Sequence, residues 1–381
     1  MRAHYKILLL GFSQRSGLTF HYTRLAISLK HSGNEVIVVS SENAQYYCLP
    51  EELNASNIRL HKHSSLGKAN LIDIIKGSGF LKQVIEREGP FDIVLGGGVR
   101  EAIQVFLSTR KLNRKPITLS IIGFLPRGKI ERSIAALSYN FFYDNNIALC
   151  NYTKTELTKL GVNSSKVHVI PLFAPDLKWF DKAIKFNVDL GTYNLQNVIH
   201  PVIFYAARHD PYKGFEYYLM SAQEVLRKYD ATFVIGGSGP LTGYLRRLAE
   251  KLGISEKVVF SGRISNYHMP FILGNIPDVC ISTSLVEQLP SYILECMAAR
   301  KPIVSSNVAG VPEIVEDGIN GYLVPPCDYR QTARKIMNLL ENPRKAREMG
   351  LAGRGKIERW FNMEASVNIL METCEDILGR K

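Results

Sequence analysis

The first forty residues alternate between short strand-like runs and a helix, and this alternation constrains the fold more than any other feature. Residues 6–10 are an apolar run typical of a buried strand, and residues 11–17 have the composition of a loop. Apolar residues recur at helical spacing over 19–31, and residues 35–39 form a second strand-like run. A strand–loop–helix–strand unit of this kind opens a parallel α/β sheet.

The same alternation returns in the second half, after a break over 171–198 that contains Pro175, Gly191 and several Asn. We interpret this break as the connection between two domains. Two such series without an internal repeat predict two facing Rossmann-like α/β domains with a ligand cleft between them. The predicted strands are 6–10, 35–39, 91–95, 117–122, 147–149 and 167–170 in the first domain, and 202–205, 232–235, 258–260, 279–282 and 303–305 in the second. Later helices are predicted at 215–229, 241–252, 292–299, 328–341, 344–358 and 362–378.

The composition is typical of a soluble globular protein, but the charge is unevenly distributed. The 381 residues are 46% hydrophobic, and no apolar run approaches the ~18 residues of a membrane span. Six scattered cysteines without C-x-x-C spacing argue against a zinc site and favour a reducing compartment. The net charge is +12, and residues 1–185 hold 25 Lys and Arg against 14 Asp and Glu, a net +11. Such an excess suits an anionic membrane face or an acidic acceptor, and the chain lacks the motifs of nucleic-acid binding.

Two carboxylates eight residues apart, Glu287 and Glu295, bracket a predicted helix start. Pro290 suits the first helical turn, because its missing N–H would be unpaired there anyway. The free N–H groups of a helix start favour a phosphate. Carboxylates beside a phosphate site do not bind the anion, and they are better suited to accept hydrogen bonds from hydroxyls. The pattern therefore predicts a site for the phosphates and the two sugars of a nucleotide-sugar.

The segment that begins at Glu287 resembles the Glu-x7-Glu signature of the retaining glycosyltransferases of family 4. The downstream residues Lys301-Pro302 and Gly310-Val311-Pro312-Glu313 extend the resemblance, and the upstream Arg208…Lys213-Gly214 fits the same family. The resemblance is strong over residues 202–330 and weak over residues 1–185.

This resemblance implies the GT-B fold and a division of labour between its domains. Residues 1–185 would form the acceptor-side domain and residues 186–361 the nucleotide-sugar domain, while a helix within 362–381 would cross back to the first domain. The implied reaction is a hexosyltransferase-type, retaining transfer from a nucleotide-diphosphate sugar to an acceptor hydroxyl, with no cofactor and no metal. We expect a glycan or lipid-linked acceptor, no nucleic-acid partner, and a cytoplasmic protein that can rest on the inner, anionic face of a membrane.

The resemblance also assigns residue roles. Arg208 and Lys213 follow the first strand of the second domain, where two cations can neutralise a diphosphate leaving group. With Glu287, which would accept hydrogen bonds from the transferred sugar, they are the expected catalytic residues. Glu295 would accept from the ribose hydroxyls. The other expected donor-binding residues are Gly17, Gly237, Arg263, Leu289, Pro290 and Ser291.

The chain departs from the family pattern at several places. Many members carry a His after the middle strand of the first domain, whereas residues 116–123 contain none and Gly96-Gly97-Gly98 replaces a second His-containing sequence. His21 could reach the cleft, but we expect it to be structural. Gln288 stands where the family usually has Gly or a small residue. Arg300 stands where it usually has Gly at the helix end, and we expect Arg300 to be structural.

Two questions stay open at the level of sequence. Residues 127–142 begin with basic residues and continue as an apolar stripe, which either packs on the sheet, our favoured interpretation, or lies on a membrane. A nucleotide-sugar-binding protein without turnover and a GT-B-like nucleotide-sugar epimerase are the alternative functions. Release of diphosphate from a labelled donor, and product analysis without acceptor, distinguish them from a transferase.

Overall fold

The chain forms two α/β units, each with its own parallel sheet. The computed structural model describes residues 4–11, 18–42, 50–66, 70–123, 125–126 and 128–379. The first unit comprises Met1–Ala174 and Met363–Lys381, and the second comprises Pro175–Asn362. None of the helices in the described ranges is both long and apolar enough to cross a bilayer.

The first unit is built on seven parallel strands. They are β1 (Lys6–Gly11), β2 (Glu35–Ser41), β3 (Arg59–His63), β4 (Ile93–Gly96), β5 (Ile117–Ile122), β6 (Asn145–Ala148) and β7 (Val167–Val169). Their order across the sheet is β3-β2-β1-β4-β5-β6-β7. The interior strand β1 is buried from Ile7 onward, which is why its sequence is continuously apolar instead of alternating.

Helices cover both faces of this sheet. They are α1 (Leu18–His31), α2 (Pro50–Ala55), α3 (Leu71–Glu88), α4 (Val99–Thr109), α5 (Lys129–Phe141), α6 (Asn151–Lys159) and, from the far end of the chain, α15 (Met363–Gly379). Helix α15 packs against α1, and the hydroxyl of Ser366 donates a hydrogen bond to the carbonyl of Pro171 at 3.0 Å. The predicted return of the last helix to the first domain is therefore confirmed.

The second unit contains a six-stranded parallel sheet. Its strands are β8 (Val202–Ala206), β9 (Thr232–Gly236), β10 (Val258–Gly262), β11 (Val279–Ser282), β12 (Ile303–Ser306) and β13 (Tyr322–Val324), in the order β10-β9-β8-β11-β12-β13. Its helices are α7 (Leu177–Ala183), α8 (Phe215–Leu226), α9 (Thr242–Lys251), α10 (Met269–Asn275), α11 (Ser291–Ala298), α12 (Val311–Ile314), α13 (Tyr329–Glu341) and α14 (Pro343–Trp360). The core is notably aromatic, with the rings of Tyr205 and Phe215 stacked at 4.4 Å. Both predicted Rossmann-like domains are thus confirmed.

The boundary between the units falls at Ala174 and Pro175, and not at the predicted position 185/186. The difference arises because α7 belongs to the second unit, where it packs against α10. Asp181 on α7 also accepts two hydrogen bonds of 2.7 Å from the buried guanidinium of Arg354 on α14. A bidentate pair of this kind fixes α7 to α14 within the second unit.

The apolar stripe of α5 divides between core and surface. Ala135 is buried and Phe142 packs against the core, whereas Ile134, Leu137 and Phe141 are exposed. The favoured expectation that the stripe packs on the sheet is therefore wrong for these three residues. They lie on the outer face of the helix, since successive helical residues are about 100° apart.

Candidate active site

The predicted donor-site residues follow four strands of the second sheet at the same edge. Arg208 and Lys213 come after β8, Gly237 comes after β9, and Arg263 comes after β10. The segment with both glutamates comes after β11. Because these strands are parallel, all four loops leave the sheet at its carboxyl-end edge, where ligands of α/β folds bind.

Lys213 and Glu287 form an ion pair although 74 residues separate them. The Nζ of Lys213 donates to Oε1 of Glu287, and the hydroxyl of Ser284 donates to the same oxygen at 2.8 Å. The Lys213 and Glu287 side chains are only 18% and 13% exposed. Both charges therefore stand in a partly dehydrated setting, where electrostatic interactions are stronger than on an open surface.

Backbone contacts hold this pair in place. Gly214 has a φ of +62°, and a Cβ there would lie 2.2 Å from the carbonyl oxygen of Thr283. The hydroxyl of Thr283 donates to the carbonyl of Gly214 at 2.9 Å, and the N–H of Leu285 donates to the carbonyl of Tyr212 at 2.8 Å. These contacts explain why Gly214 follows Lys213. Only glycine allows the loop after β8 to approach the loop after β11 this closely.

Arg208 has a more open setting than Lys213. Its Nε lies 2.9 Å from Oδ2 of Asp210, and its side chain is 47% exposed. The hydroxyl of Tyr212 donates to the same carboxylate at 2.9 Å, so Asp210 is fixed from a second direction. Because the guanidinium side of this pair is open to water, Arg208 can exchange its partner for an anionic ligand.

Glu295 is a half-buried carboxylate on the second turn of α11. Burial raises its pKa to about 7. Among the described residues no group donates a hydrogen bond to its carboxylate or forms an ion pair with it. A dehydrated carboxylate without a donor suits a ligand that supplies hydroxyl groups.

The start of α11 presents backbone N–H groups at the same edge. Pro290 is the residue before the first helical turn, and Leu289 before it is buried. Within the described part of the chain, the N–H groups of Ser291 and Tyr292 find no acceptor. The hydroxyl of Tyr292 donates to the carbonyl of Phe204 at 2.7 Å, which ties α11 to β8. Free N–H groups on a fixed helix start can hold an anion.

Gly237 is required by its own backbone. Its φ is +108°, and a Cβ there would lie 2.0 Å from the carbonyl oxygen of Ala207. Its N–H donates to the carbonyl of Gly262 at 2.7 Å, so three of the four loops are joined here. Arg263, which follows Gly262, is exposed.

Sequence reasoning missed His209, which is fully buried between two of these loops. Its Nδ1 lies 2.8 Å from the hydroxyl of Thr242 on α9, and its Nε2 lies 3.4 Å from the carbonyl of Gly236. Burial lowers its pKa, so the ring stays neutral. The one sequence signal for His209 was its position between the two cations Arg208 and Lys213. His209 connects the loop after β8, which carries Arg208, to the loop after β9, which carries Gly237.

The first unit has a different kind of edge. His21 is buried, its ring lies 5.5 Å from that of Phe173, and burial lowers its pKa to about 4, which fits the expected structural role. The hydroxyl of Tyr143 donates to the carbonyl of Gly97 at 3.0 Å, and a Cβ on Gly96 would lie 2.4 Å from that hydroxyl. Gly17 lies outside the described residues. Within the part that the structure describes, no three His, Cys, Asp or Glu side chains come together as a metal site.

Two family models match the two halves of the chain. "Glycosyltransferase Family 4" matches residues 15–174, and "Glycosyl transferases group 1" matches residues 195–356. The architecture is that of a GT-B glycosyltransferase. The chain belongs to the family 4, group 1 glycosyltransferases, as the resemblance in the sequence had predicted.

Individual relatives agree with this assignment. An alpha-D-kanosaminyltransferase from Streptomyces kanamyceticus is 34% identical over 255 residues, which are 65% of this chain and 62% of that protein. A glycosyltransferase from Rickettsia africae has a TM-score of 0.82 at 20% identity, covering 99% of this chain and 100% of its own. Anabaena HepE, solved with UDP and glucose, has a TM-score of 0.80 at 18% identity over 98% of this chain and 100% of its own. At these identities the two structures show the fold.

Proposed function

We propose that the protein transfers a sugar from a nucleotide-diphosphate donor to an acceptor hydroxyl with retention of anomeric configuration. One combination of observations carries the proposal. The enclosed Lys213–Glu287 pair lies at the same sheet edge as the first N–H groups of α11 and the carboxylate of Glu295, both of which lack partners among the residues that the structure describes. Cations and free N–H groups suit phosphates, while carboxylates without donors suit sugar hydroxyls. The complex of HepE with UDP and glucose supports a donor of this class.

In this proposal Arg208, Lys213 and the start of α11 bind the diphosphate. The bond between the anomeric carbon and the phosphate oxygen breaks, and its electron pair stays on the departing diphosphate. The fixed positive groups stabilise the charge that develops there, which is how preorganised donors lower a barrier. Bond breaking leaves an oxocarbenium-like sugar.

The acceptor then attacks from the face that the diphosphate has left. Its hydroxyl oxygen forms the new bond to the anomeric carbon, and its proton passes to the leaving phosphate oxygen. No protein nucleophile is needed, and the charge is balanced without a metal. Glu287 accepts hydrogen bonds from the transferred sugar while Lys213 and Ser284 hold its carboxylate in place.

Glu295 would receive the ribose hydroxyls. Donors that hydrogen-bond a carboxylate favour its charged form and lower its pKa. Because the pKa of Glu295 is raised to about 7 before binding, nucleotide binding near neutral pH should release a proton from it. This link between binding and protonation is a test of the role.

We further propose a glycan or lipid-linked acceptor and a cytoplasmic location. The net +11 of residues 1–185 supports this, because the resembling family places the acceptor on that domain and the inner leaflet is anionic. The acceptor-side His that many members carry is missing here, so the acceptor need not be one of the common ones.

A donor screen tests the proposal. UDP-, GDP- and ADP-sugars are compared by thermal shift, since a ligand that binds only the native state raises the melting temperature. UDP-glucose is the first to try. The donor that shifts the transition is then supplied in labelled form, and nucleoside diphosphate release and the anomeric configuration of the product are measured. A chain that binds no nucleotide-sugar overturns the proposal, and an inverted product overturns its stereochemistry.

A further inference from the structure

Helix α5 carries an exposed apolar face on the first unit. Ile130, Ile134, Leu137 and Phe141 are 78%, 46%, 58% and 69% exposed. Their spacings of four, three and four residues place them within a narrow stripe, since each residue turns the helix by about 100°. The opposite side is buried through Ala135 and Tyr139, which belong to the core beneath the helix. The stripe is therefore an outward face, which we call the α5 face.

Cationic side chains lie near both ends of the α5 face. Arg132 is exposed on the first turn of the helix, beside the exposed Glu131. At the far end, the Nζ of Lys166 donates to the carbonyl of Asn140 at 2.8 Å.

Another contact brings a second group of cations to that end. The guanidinium of Arg110 lies 5.9 Å above the ring of Phe106, which in turn contacts the ring of Phe142 at 5.1 Å. Lys111 and Lys115 follow Arg110 and are exposed, whereas the nearby Arg114 pairs with Asp92 at 2.6 Å. An apolar stripe with cations near its ends complements a surface that has an apolar interior and anionic groups at its boundary with water.

The area of the α5 face argues against a second copy of the chain as its occupant. A helix of 13 residues is about 20 Å long and about 10 Å wide. One such face offers a few hundred Å², whereas a stable dimer buries about 800 Å² on each partner. A bilayer has no such requirement, because each apolar side chain inserts separately among the lipids.

We propose that the α5 face binds the surface of an anionic lipid bilayer. The helix lies parallel to the surface, its four apolar side chains enter the boundary between headgroups and acyl chains, and the flanking cations meet the phosphates. This deepens the proposed function by naming the surface that would bring a lipid-linked acceptor to the first unit. Only the delivery of an acceptor depends on the proposed transferase function. Binding of the α5 face to lipid does not require a nucleotide-sugar donor.

Co-sedimentation with vesicles tests the proposal. The full chain is mixed with vesicles of phosphatidylglycerol or of phosphatidylcholine, at low and high salt. We expect it to sediment with phosphatidylglycerol at low salt, to be released in part at high salt, and to stay in solution with phosphatidylcholine. Leu137→Glu should weaken sedimentation by roughly tenfold or more, because it replaces an inserted apolar side chain with an anion.

Leu351→Glu is the matched control. Leu351 lies on α14 of the second unit, is 50% exposed, and receives the same substitution. It should sediment like the natural chain. Equal thermal unfolding of both variants shows that the fold is intact, which is expected at exposed positions.

A Phe141→Trp variant gives a second measurement. Its fluorescence should shift to the blue with phosphatidylglycerol vesicles, relative to the natural chain with its two Trp. The proposal is overturned if the natural chain ignores phosphatidylglycerol, if Leu137→Glu binds as well as Leu351→Glu, or if Leu137→Glu instead converts a dimer to a monomer on size exclusion. Failure of sugar transfer with intact vesicle binding would count against the proposed function alone.

Discussion

The two units have similar parallel sheets but carry different groups at the carboxyl ends of their strands. At its carboxyl-end edge, the second unit carries an enclosed ion pair, the carboxylate of Glu295 without a partner among the described residues, and a buried His that joins two loops. The corresponding edge of the first unit offers glycines held by Tyr143 and a His21 buried against Phe173. Its distinctive charge and apolar groups lie on its outer surface instead. The comparison teaches that the second unit concentrates fixed charged groups at one edge of its sheet, whereas the first unit carries exposed apolar and charged side chains on its outer surface.

The largest predicted difference between the two units is the loss of transfer rate on replacing Lys213. Lys213→Ala should raise the barrier to transfer by about 2–4 kcal/mol, because a cation that stabilises the leaving diphosphate is lost. Lys159→Ala in the first unit is the control, since Lys159 also pairs with a glutamate, Glu156 at 2.8 Å, but on the surface. Steady-state kinetics with the identified donor would show kcat/KM falling only in the first variant. Equal rates in the two would contradict the leaving-group role.

The two glutamates should separate binding from chemistry within the second unit. Glu295→Ala should weaken nucleoside diphosphate binding by about 1.5–3 kcal/mol, the scale of hydrogen bonds to a charged group. Glu287→Gln should spare that affinity and lower the rate of transfer, because its partner is the sugar. Isothermal calorimetry with the diphosphate alone distinguishes them. Similar losses in both variants would show that the assigned roles are wrong.

The raised pKa of Glu295 predicts how stability depends on pH. Its pKa is about 7 in the folded chain and 4.5 in its ordinary state, so the native state holds its proton more tightly. Between these values stability falls as pH rises, and above 7 the full penalty applies. Glu295→Gln should therefore raise the free energy of unfolding by about 1–3 kcal/mol above pH 7 and by little below pH 4. Urea melts at the two pH extremes would measure this, and a gain that ignores pH would exclude the carboxylate as its source.

The two buried histidines sharpen the contrast between the units. His209→Leu should destabilise the chain by about 1–3 kcal/mol, because Thr242 loses a buried hydrogen-bond partner. It should also raise KM for the donor by loosening the Arg208 loop. His21→Leu should cost less than about 1 kcal/mol, since within the described residues the ring is held by aromatic packing and no side-chain hydrogen bond. Unfolding midpoints and donor KM values of the two variants are compared. A similar donor KM for both would show that His209 does not position the donor site.

The smallest predicted effect concerns Arg300, which stands where the family usually has Gly. It follows α11 with a φ of +60°, a left-handed conformation that favours glycine after a helix. Arg300→Gly should therefore stabilise the second unit by about 1 kcal/mol without changing transfer. Thermal unfolding checks this, and a loss of activity would show that Arg300 does more than end a helix.

Sequence reasoning was most accurate where one physical factor dominates. Strands β5 and β11 occupy the predicted residues, because continuous apolar runs in parallel sheets have few alternatives. Strand β3 was missed because its sequence, RLHKH, is polar, as an edge strand allows. Helix α7 was missed inside the supposed linker, although Asp176 signals its start by accepting from the N–H of Trp179.

The site divides in the same way. The resemblance supplied the residue types and their roles, and the strand ends supplied the edge on which they lie. Three features depend on packing between loops distant in sequence. They are the contact of Lys213 with Glu287, the bridging place of His209, and the lack of a partner for Glu295 within the described ranges. No local pattern encodes such contacts. The exposure of the α5 face was hidden for a similar reason, since an amphipathic helix has the same periodicity against a sheet or a membrane.

The return of α15 to the first unit has a consequence for how the chain is made. The second unit is an insertion within the first, because residues 175–362 leave the ribosome before the segment that completes the first unit. During synthesis the second unit can fold around its own core while helix α1 of the first unit still lacks its neighbour α15. Met363, Val367, Leu370 and Cys374 all become buried when α15 docks. Until then the surface of α1 that α15 covers stays open to other chains, so the docking of α15, which is translated after the second unit, ends its exposure to aggregation.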